Sequence, residues 1–257
     1  MRLLIVTQYF WPENFRINDL AAGLRERGHE VTVYTGKPNY PDGRFFDGYG
    51  FFGRGNETYE GMRVIRVPLI PRGDGGAVRL ALNYLSFALF ASALAPFRVR
   101  GEFDAILVYE PSPVTVGLPA LVMKKLKRAP ILFWVQDLWP ESFSATEAVR
   151  AGWILKAVER LVRFIYRGCD RLLVQSRGFI PQLSAMGAPA EKIRYFPSWA
   201  EGIFNKRHRG LGLPFPQAGN ALTPRCSNGR RAFRAFALWR VGLAAGRSSD
   251  TSPRRRP

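Results

Sequence analysis

Seven short apolar runs alternating with helix-like segments constrain this chain more than any other feature. The runs are residues 3–7, 31–35, "MRVIRVPL", "FDAILVYEP", "APILFWVQD", "CDRLLVQS" and "EKIRYFP". Ile17, Leu20, Ala21 and Leu24 recur at helical spacing up to Gly28, a suitable stop, and residues 80–97, 114–126, 153–167 and 179–186 supply further helical segments. Residues 36–59 read as a polar, aromatic loop. Runs of this length without polar alternation suit strands covered on both faces. Regular βα alternation therefore predicts an α/β fold, a doubly wound, Rossmann-like parallel sheet with right-handed crossovers, whose ligands lie at the carboxyl ends of the strands.

The turn after the first strand, "TQYFWPENF", contains no glycine. A Gly-x-Gly-x-x-Gly cradle for a dinucleotide pyrophosphate is missing where it would have to be, which argues against a dehydrogenase. The strand ends carry a different chemistry: Gln8, Tyr9, Phe10 and Trp11; then Lys37, Asn39 and Tyr40; Glu110 and Ser112; Asp137, Trp139 and Glu141; and Ser176. Polar groups mixed with aromatic rings suit a sugar, whose hydroxyls need hydrogen-bond partners and whose C–H faces lie well on rings. Each position also has a plain structural reading. Asn39 and Asp42 are turn formers, Pro12 and Glu13 can open the first helix, and Trp139 can anchor a loop. Asp137 and Glu141 stand out, because two acids flanking Trp-Pro at the mouth of a buried strand are costly to bury without partners.

The formal charge of +18 is unevenly spread. Residues 1–205 carry 26 Lys and Arg against 19 acids, whereas residues 206–257 carry 12 against one. That tail shows neither helical nor alternating periodicity, and with little organised apolar surface it cannot offset its ordering entropy. The expected organisation is a domain over 1–204 followed by an irregular or disordered Arg-rich tail over 205–257, read as the product of a shifted reading frame. Two cysteines, Cys169 and Cys226, and no secretory leader point to a reducing cytoplasm rather than a disulfide framework.

Several motifs together carry a resemblance: "PENFRINDLAAGLRERGHEVTVYTGKPNYPDG", "YEGMRVIRVPL", "LNYLSFALFA", "VQDLWPES" and "RFIYRGCDRLLVQSRGF". In this order and spacing they resemble the amino-terminal domain of family 4 glycosyltransferases, specifically the WbuB-like group of O-antigen and capsule synthesis. The resemblance covers roughly residues 1–204. It implies a GT-B architecture of two nucleotide-fold domains facing across a cleft, a nucleotide sugar as substrate with no cofactor or metal, and retention of anomeric configuration. It also implies an acceptor that is an undecaprenyl-linked saccharide, gripped by the amino-terminal domain. Arg16, Asn18, Asn39 and Tyr40 then line the acceptor side, joined by Trp139, Glu110 and Ser176 from the strand-end rule. Asp137 would orient an acceptor hydroxyl or stabilise positive charge as the glycosidic bond loosens, with Glu141 supporting it. The family's donor-binding domain with its Glu-x7-Glu signature is missing from this chain, so the polypeptide is expected to be inactive alone. Ser198 in "FPSWAE" stands where close relatives are expected to carry Asn.

Residues 80–97 are 18 residues without charge, roughly 27 Å as a helix and close to the hydrocarbon thickness of a bilayer. Asn83, Ser86, Ser92 and Pro96, and the position between strands of one sheet, favour a helix on the domain's exterior over a spanning one. Such a helix would dip into the membrane surface, with Arg79, Arg98 and Arg100 reaching for lipid phosphates. The predicted location is the cytoplasm, peripheral on the inner face of the plasma membrane. The alternative from another class is a non-catalytic basic protein binding anionic membrane or nucleic acid through the tail. No recognisable nucleic-acid module or regular aromatic series supports a specific nucleic-acid partner.

Overall fold

In the computed structural model, β1 (Arg2–Val6) runs inside an eight-stranded sheet, parallel to β2 (Glu30–Gly36) on one edge and β5 (Ala105–Glu110) on the other. The structure describes residues 1–139 and 152–198. Met1–Tyr195 form one unit; a second, Phe196–Pro257, falls almost wholly outside the described residues, as does the boundary expected between 204 and 205.

From β1 the chain passes through α1 (Arg16–Glu26) to β2 and then to β4 (Met62–Val67). It returns through α2 (Ala77–Arg98) to β5 on the opposite edge of β1. α3 (Gly117–Lys127), α4 (Gly152–Gly168) and α5 (Ile180–Ala185) then accompany β6 (Ile131–Val135), β7 (Arg171–Val174) and β8 (Ile193–Tyr195), each parallel to the last. Reversal of direction at β1 makes the gap between the carboxyl ends of β1 and β5 the topological switch point.

Alternation of side chains sorts the helices to two faces. Leu4, Val6, Ile106, Val108, Ile131 and Phe133 share one core with Phe87, Ala91 and Ala95 of α2, Met123 of α3 and Ile165 of α4. The intervening Leu3, Ile5 and Val33 are equally buried on the other face, where α1 buries Ile17, Leu20 and Leu24. α1 ends at Gly28, whose φ of 80° a residue with a Cβ adopts only with strain. At the end of β2, a Cβ on Gly36 would come within 2.6 Å of Leu69 and 3.0 Å of the Gln8 carbonyl oxygen, so this glycine permits the close approach of the loop after β1.

The loop expected over 36–59 ends in a strand. β3 (Asn56–Tyr59) pairs antiparallel with β4 at the sheet edge, so the sheet is mixed rather than wholly parallel. The hairpin turns at Glu60 and Gly61, both at positive φ, as a two-residue type I′ connection requires. Glu-Gly is a weaker turn signal than Asn-Gly, and the half-exposed alternation of "NETY" reads as loop without its partner strand.

The uncharged segment 80–97 lies within α2, which packs along the sheet. Among the described residues it is the one helix long and apolar enough to cross a membrane. Its inner face is held firmly: the Tyr34 hydroxyl donates to the Ala91 carbonyl at 2.6 Å, and Asn83 Nδ2 donates to the Ile70 carbonyl at 2.6 Å. Its outer face, Val78, Leu82, Leu85, Leu89 and Phe97, is exposed. Truncating the buried Phe87 to Ala is expected to cost about 3–5 kcal/mol in urea denaturation, because it leaves a cavity against the sheet. Leu89→Ala, on the same helix, should stay within about 0.5 kcal/mol.

Candidate functional site

The loops leaving β1, β2 and β4 are sewn together by buried polar groups. Glu13, 2% exposed, accepts from the Phe10 N–H at 3.2 Å through Oε2 and from the Asn39 and Tyr40 N–H groups, each at 2.8 Å, through Oε1. One carboxylate thus fixes two loops against each other. Burial pushes its carboxyl up to about 7, against the pull of the three N–H donors and the charge of Arg66. Arg66, wholly buried in β4, donates to the Gly36 carbonyl at 2.9 Å, to the Trp11 carbonyl and to Glu57. Lys37, 1% exposed, is held by the Gly53 and Arg54 carbonyls, and burial lowers it to about 8.

Two of the polar residues expected to meet the acceptor are engaged inside this seam. Asn18 donates to the Glu13 carbonyl at 2.7 Å and accepts from the Trp11 N–H at 3.0 Å. Asn39, fully buried, donates to the Lys37 carbonyl at 3.0 Å, and its Oδ1 accepts from the Arg72 N–H at 3.1 Å and from Asn83 at 3.3 Å. Both hold backbone in place for neighbours that are exposed. Tyr40 is one such neighbour: it packs on Tyr9 and Phe15, with the Arg72 guanidinium 4.9 Å above its ring. Trp11 is the other, stacked on Tyr59 at 5.0 Å. Tyr40 and Trp11 are both more than one-third exposed, so two ring systems flank the Glu13 junction.

A second cluster lies at the switch point. Tyr109, near the end of β5, feels the charges of Arg16, Glu110 and Asp137, which lie around it, and burial pushes its hydroxyl up to about 12. Arg16 opens α1 and stands 3.8 Å from Asp19. Glu110 is fully buried; burial first, and the nearby Asp137 charge second, push its carboxyl well above the usual carboxylate range. Its Oε2 accepts from the Gln136 N–H at 3.4 Å. Asp137 is half-buried and shifted upward by desolvation. Glu110 thus lies, with its carboxyl pushed upward by burial, behind the more accessible carboxyl of Asp137.

The structure sets Arg16, Glu110 and Asp137 around Tyr109, with Asp137 beside Glu110, and holds Asn39 and Tyr40 at the Glu13 junction. Trp139 is buried, and Ser176, exposed at the end of β7, caps the following turn by accepting from the Gly178 N–H at 3.2 Å. Glu141 lies outside the described residues. Glu13, Arg66 and Arg72 were not singled out as site residues by the sequence reading. Arg66 carries a partial signal, a cation between Ile65 and Val67, but the same strand also holds the exposed Arg63, so only the fold tells which of the two is buried among acceptors. Among the described residues no group of three His, Cys, Asp or Glu side chains is arranged to hold a metal ion.

Residues 14–199 match the family model of the glycosyl transferase 4-like domain. The chain is similar to the putative colanic acid biosynthesis glycosyl transferase WcaI of Escherichia coli (strain K12), with 23% identity over 210 residues, 78% of this chain and 51% of that protein. Among solved structures it resembles a sucrose-phosphate synthase from Thermosynechococcus elongatus, with a TM-score of 0.51 and 14% identity, over 78% of this chain and 48% of that one. The likeness to the synthase is one of fold. The chain spans about half the length of each.

The Glu13 junction carries a pH signature. A carboxyl whose folded pKa lies above its unfolded value binds its proton more tightly when folded, so its contribution to stability is present below about 4.5 and lost as pH rises to about 7. Stability measured by urea denaturation between pH 5 and pH 7.5 should therefore show a declining component of about 2 kcal/mol in the parent chain. Glu13→Gln should abolish that slope while lowering stability at acidic pH, since an amide cannot accept from all three N–H groups. An unchanged slope would remove Glu13 as its source.

Proposed function

The chain belongs to the glycosyl transferase 4-like domain family, and we propose from that premise that it forms the acceptor-side lobe of an enzyme transferring a sugar from a nucleotide-sugar donor to a lipid-linked glycan. The observation that carries the reading is the family match across 14–199. Its chemistry fits the switch point, where the half-buried Asp137 stands beside the buried Glu110 and both, with Arg16, lie around Tyr109.

In this reading an acceptor saccharide lies along the rim with a sugar face on Tyr40 or Trp11. An acceptor hydroxyl is oriented by Asp137, whose negative charge also opposes the positive charge that develops at the anomeric carbon as the donor's bond to phosphate loosens. Burial raises the Glu110 carboxyl well above the usual carboxylate range, which lessens the competing charge behind Asp137. The resemblance to the WbuB-like group favours retention of configuration, no metal, and a polysaccharide product of the O-antigen, capsule or colanic acid kind. It also favours a reaction at the cytoplasmic face of a membrane, with peripheral contact through α2 and its surroundings. Rate acceleration requires donor and acceptor to be held in one geometry, so turnover depends on a donor site facing the acceptor held by this lobe.

Calorimetric titration of the purified chain with an undecaprenyl-linked saccharide in detergent should give measurable binding, and titration with nucleotide sugars none. Asp137→Asn should weaken saccharide binding by about tenfold with an unchanged circular dichroism spectrum, the loss of one hydrogen bond to a charged acceptor. Saccharide affinity indifferent to Asp137, or nucleotide-sugar binding that competes with the saccharide, would overturn the assignment.

A further inference from the structure

The crevice lies at the carboxyl ends of the strands, but the opposite end of the sheet is also concave. Where β1, β2 and β4 begin, and just before β5, the surface folds inward to a cavity of about 530 Å³. Buried Val31, Thr32 and Met62 line it together with three exposed arginines, Arg25, Arg63 and Arg100. These come from separate segments: the last turn of α1, β4 and the connection into β5. Arg63 stands beside Thr32 in register on the face that α2 covers, whereas Arg25 arrives from the α1 face, so the cavity wraps the end of the sheet. A Cβ on Gly61, at the turn between β3 and β4, would come within 2.2 Å of the Arg25 guanidinium. Glycine at this turn therefore lets that cation reach the cavity.

The acids at this end of the sheet are spent on a different arginine. Glu102 accepts from Arg2 at 3.1 Å, and Asp104 lies 3.8 Å from the same guanidinium. Among the described residues no carboxylate pairs with Arg25, Arg63 or Arg100. Glu30, beside Arg2 in register, is the lining carboxylate left over, so three unpaired cations face one unpaired anion. A concave wall concentrates that excess, where a convex surface would disperse it into water. Guanidinium forks match phosphate oxygens two at a time and do so from fixed geometry.

We propose that this cavity binds a polyphosphate chain with a free terminal phosphate, inorganic or carried by a nucleotide, whose oxygens are received by Arg25, Arg63 and Arg100. A single phosphate is too small to meet cations arriving from both faces of the sheet, and the volume falls within the roughly 300–1,000 Å³ of small-molecule sites. The excess of cations over Glu30 calls for a ligand with several charges. A nucleotide sugar, with both phosphates esterified, lacks the terminal charge and is the poorer ligand. Phe103, half-buried in the lining, offers a ring face for a base. The site is separate from the crevice: the five residues of β1 put about 17 Å between the two ends of the sheet. The inference is therefore independent of the transfer reading.

Calorimetric titration of the full chain with inorganic tripolyphosphate should show saturable binding, weakened by about tenfold or more in Arg63→Gln/Arg100→Gln through loss of charge-assisted contacts. The Arg-rich tail also attracts polyanions, so a second variant decides where the ligand sits. Glu30→Gln removes the opposing carboxylate and should tighten binding by about twofold to fivefold, which attachment to the tail would not show. All three substituted side chains are exposed, and circular dichroism checks that each variant is folded. Titration with ATP separates the two sources: affinity equal to that of tripolyphosphate assigns recognition to the chain of phosphates alone, and tighter binding that Phe103→Leu reduces assigns it to a nucleotide. Tripolyphosphate affinity that either the arginine pair or Glu30→Gln leaves unchanged would overturn the proposal. So would orthophosphate binding as tightly as tripolyphosphate.

Discussion

β1 being paired on both edges is the constraint from which the rest of the molecule follows. Its residues Leu3 to Val6 are fully buried, with hydrogen-bonded neighbours on either side, so the chain has to leave its carboxyl end and build outward in two directions. The loops after β1 and β5 therefore diverge and open a crevice. Arg16, Glu110 and Asp137 meet there because α1 starts beside that divergence and β5 and β6 end at it.

The crevice rim is unusual in how much charge lies beneath it. Glu13, Lys37 and Arg66 are each nearly or wholly withdrawn from water, and each is spent on backbone groups of loops that regular secondary structure does not organise. Burying a charge is tolerable only when its partners are supplied by the fold. The loops accordingly gain a single arrangement, presenting Tyr40 and Trp11 outward while Asn18 and Asn39 remain inside. Rigid presentation of rings and carboxylates suits recognition of a saccharide, whose many similar hydroxyls are told apart by position.

α2 shows how one helix serves two environments. Small and aromatic residues on its inner side fill the groove over β2 and β4, while the leucines on its outer side have no partner in the described fold. A helix that were merely structural would carry polar groups there. The same helix that completes the sheet's cover thus sets the orientation of the crevice relative to the membrane surface we propose.

The sequence by itself determined the βα alternation, the family, and the absence of a glycine cradle after β1. These depend on local apolar periodicity and on motif order, which are properties of the chain. Only the tertiary structure decided which polar residues face the crevice. Asn39 and Tyr40 are adjacent in sequence and equally plausible as ligands, yet one is wholly buried and the other exposed, because Glu13, 26 residues away, captures both backbone N–H groups and fixes the turn between them. β3 escaped notice for the same reason: its half-buried alternation becomes a strand only beside β4. Arg98 reads as a cation reaching outward until the fold brings the Gly55 carbonyl to it. Long-range partners of this kind leave no periodic trace in the chain, so the direction in which a side chain points had to wait for the packed molecule.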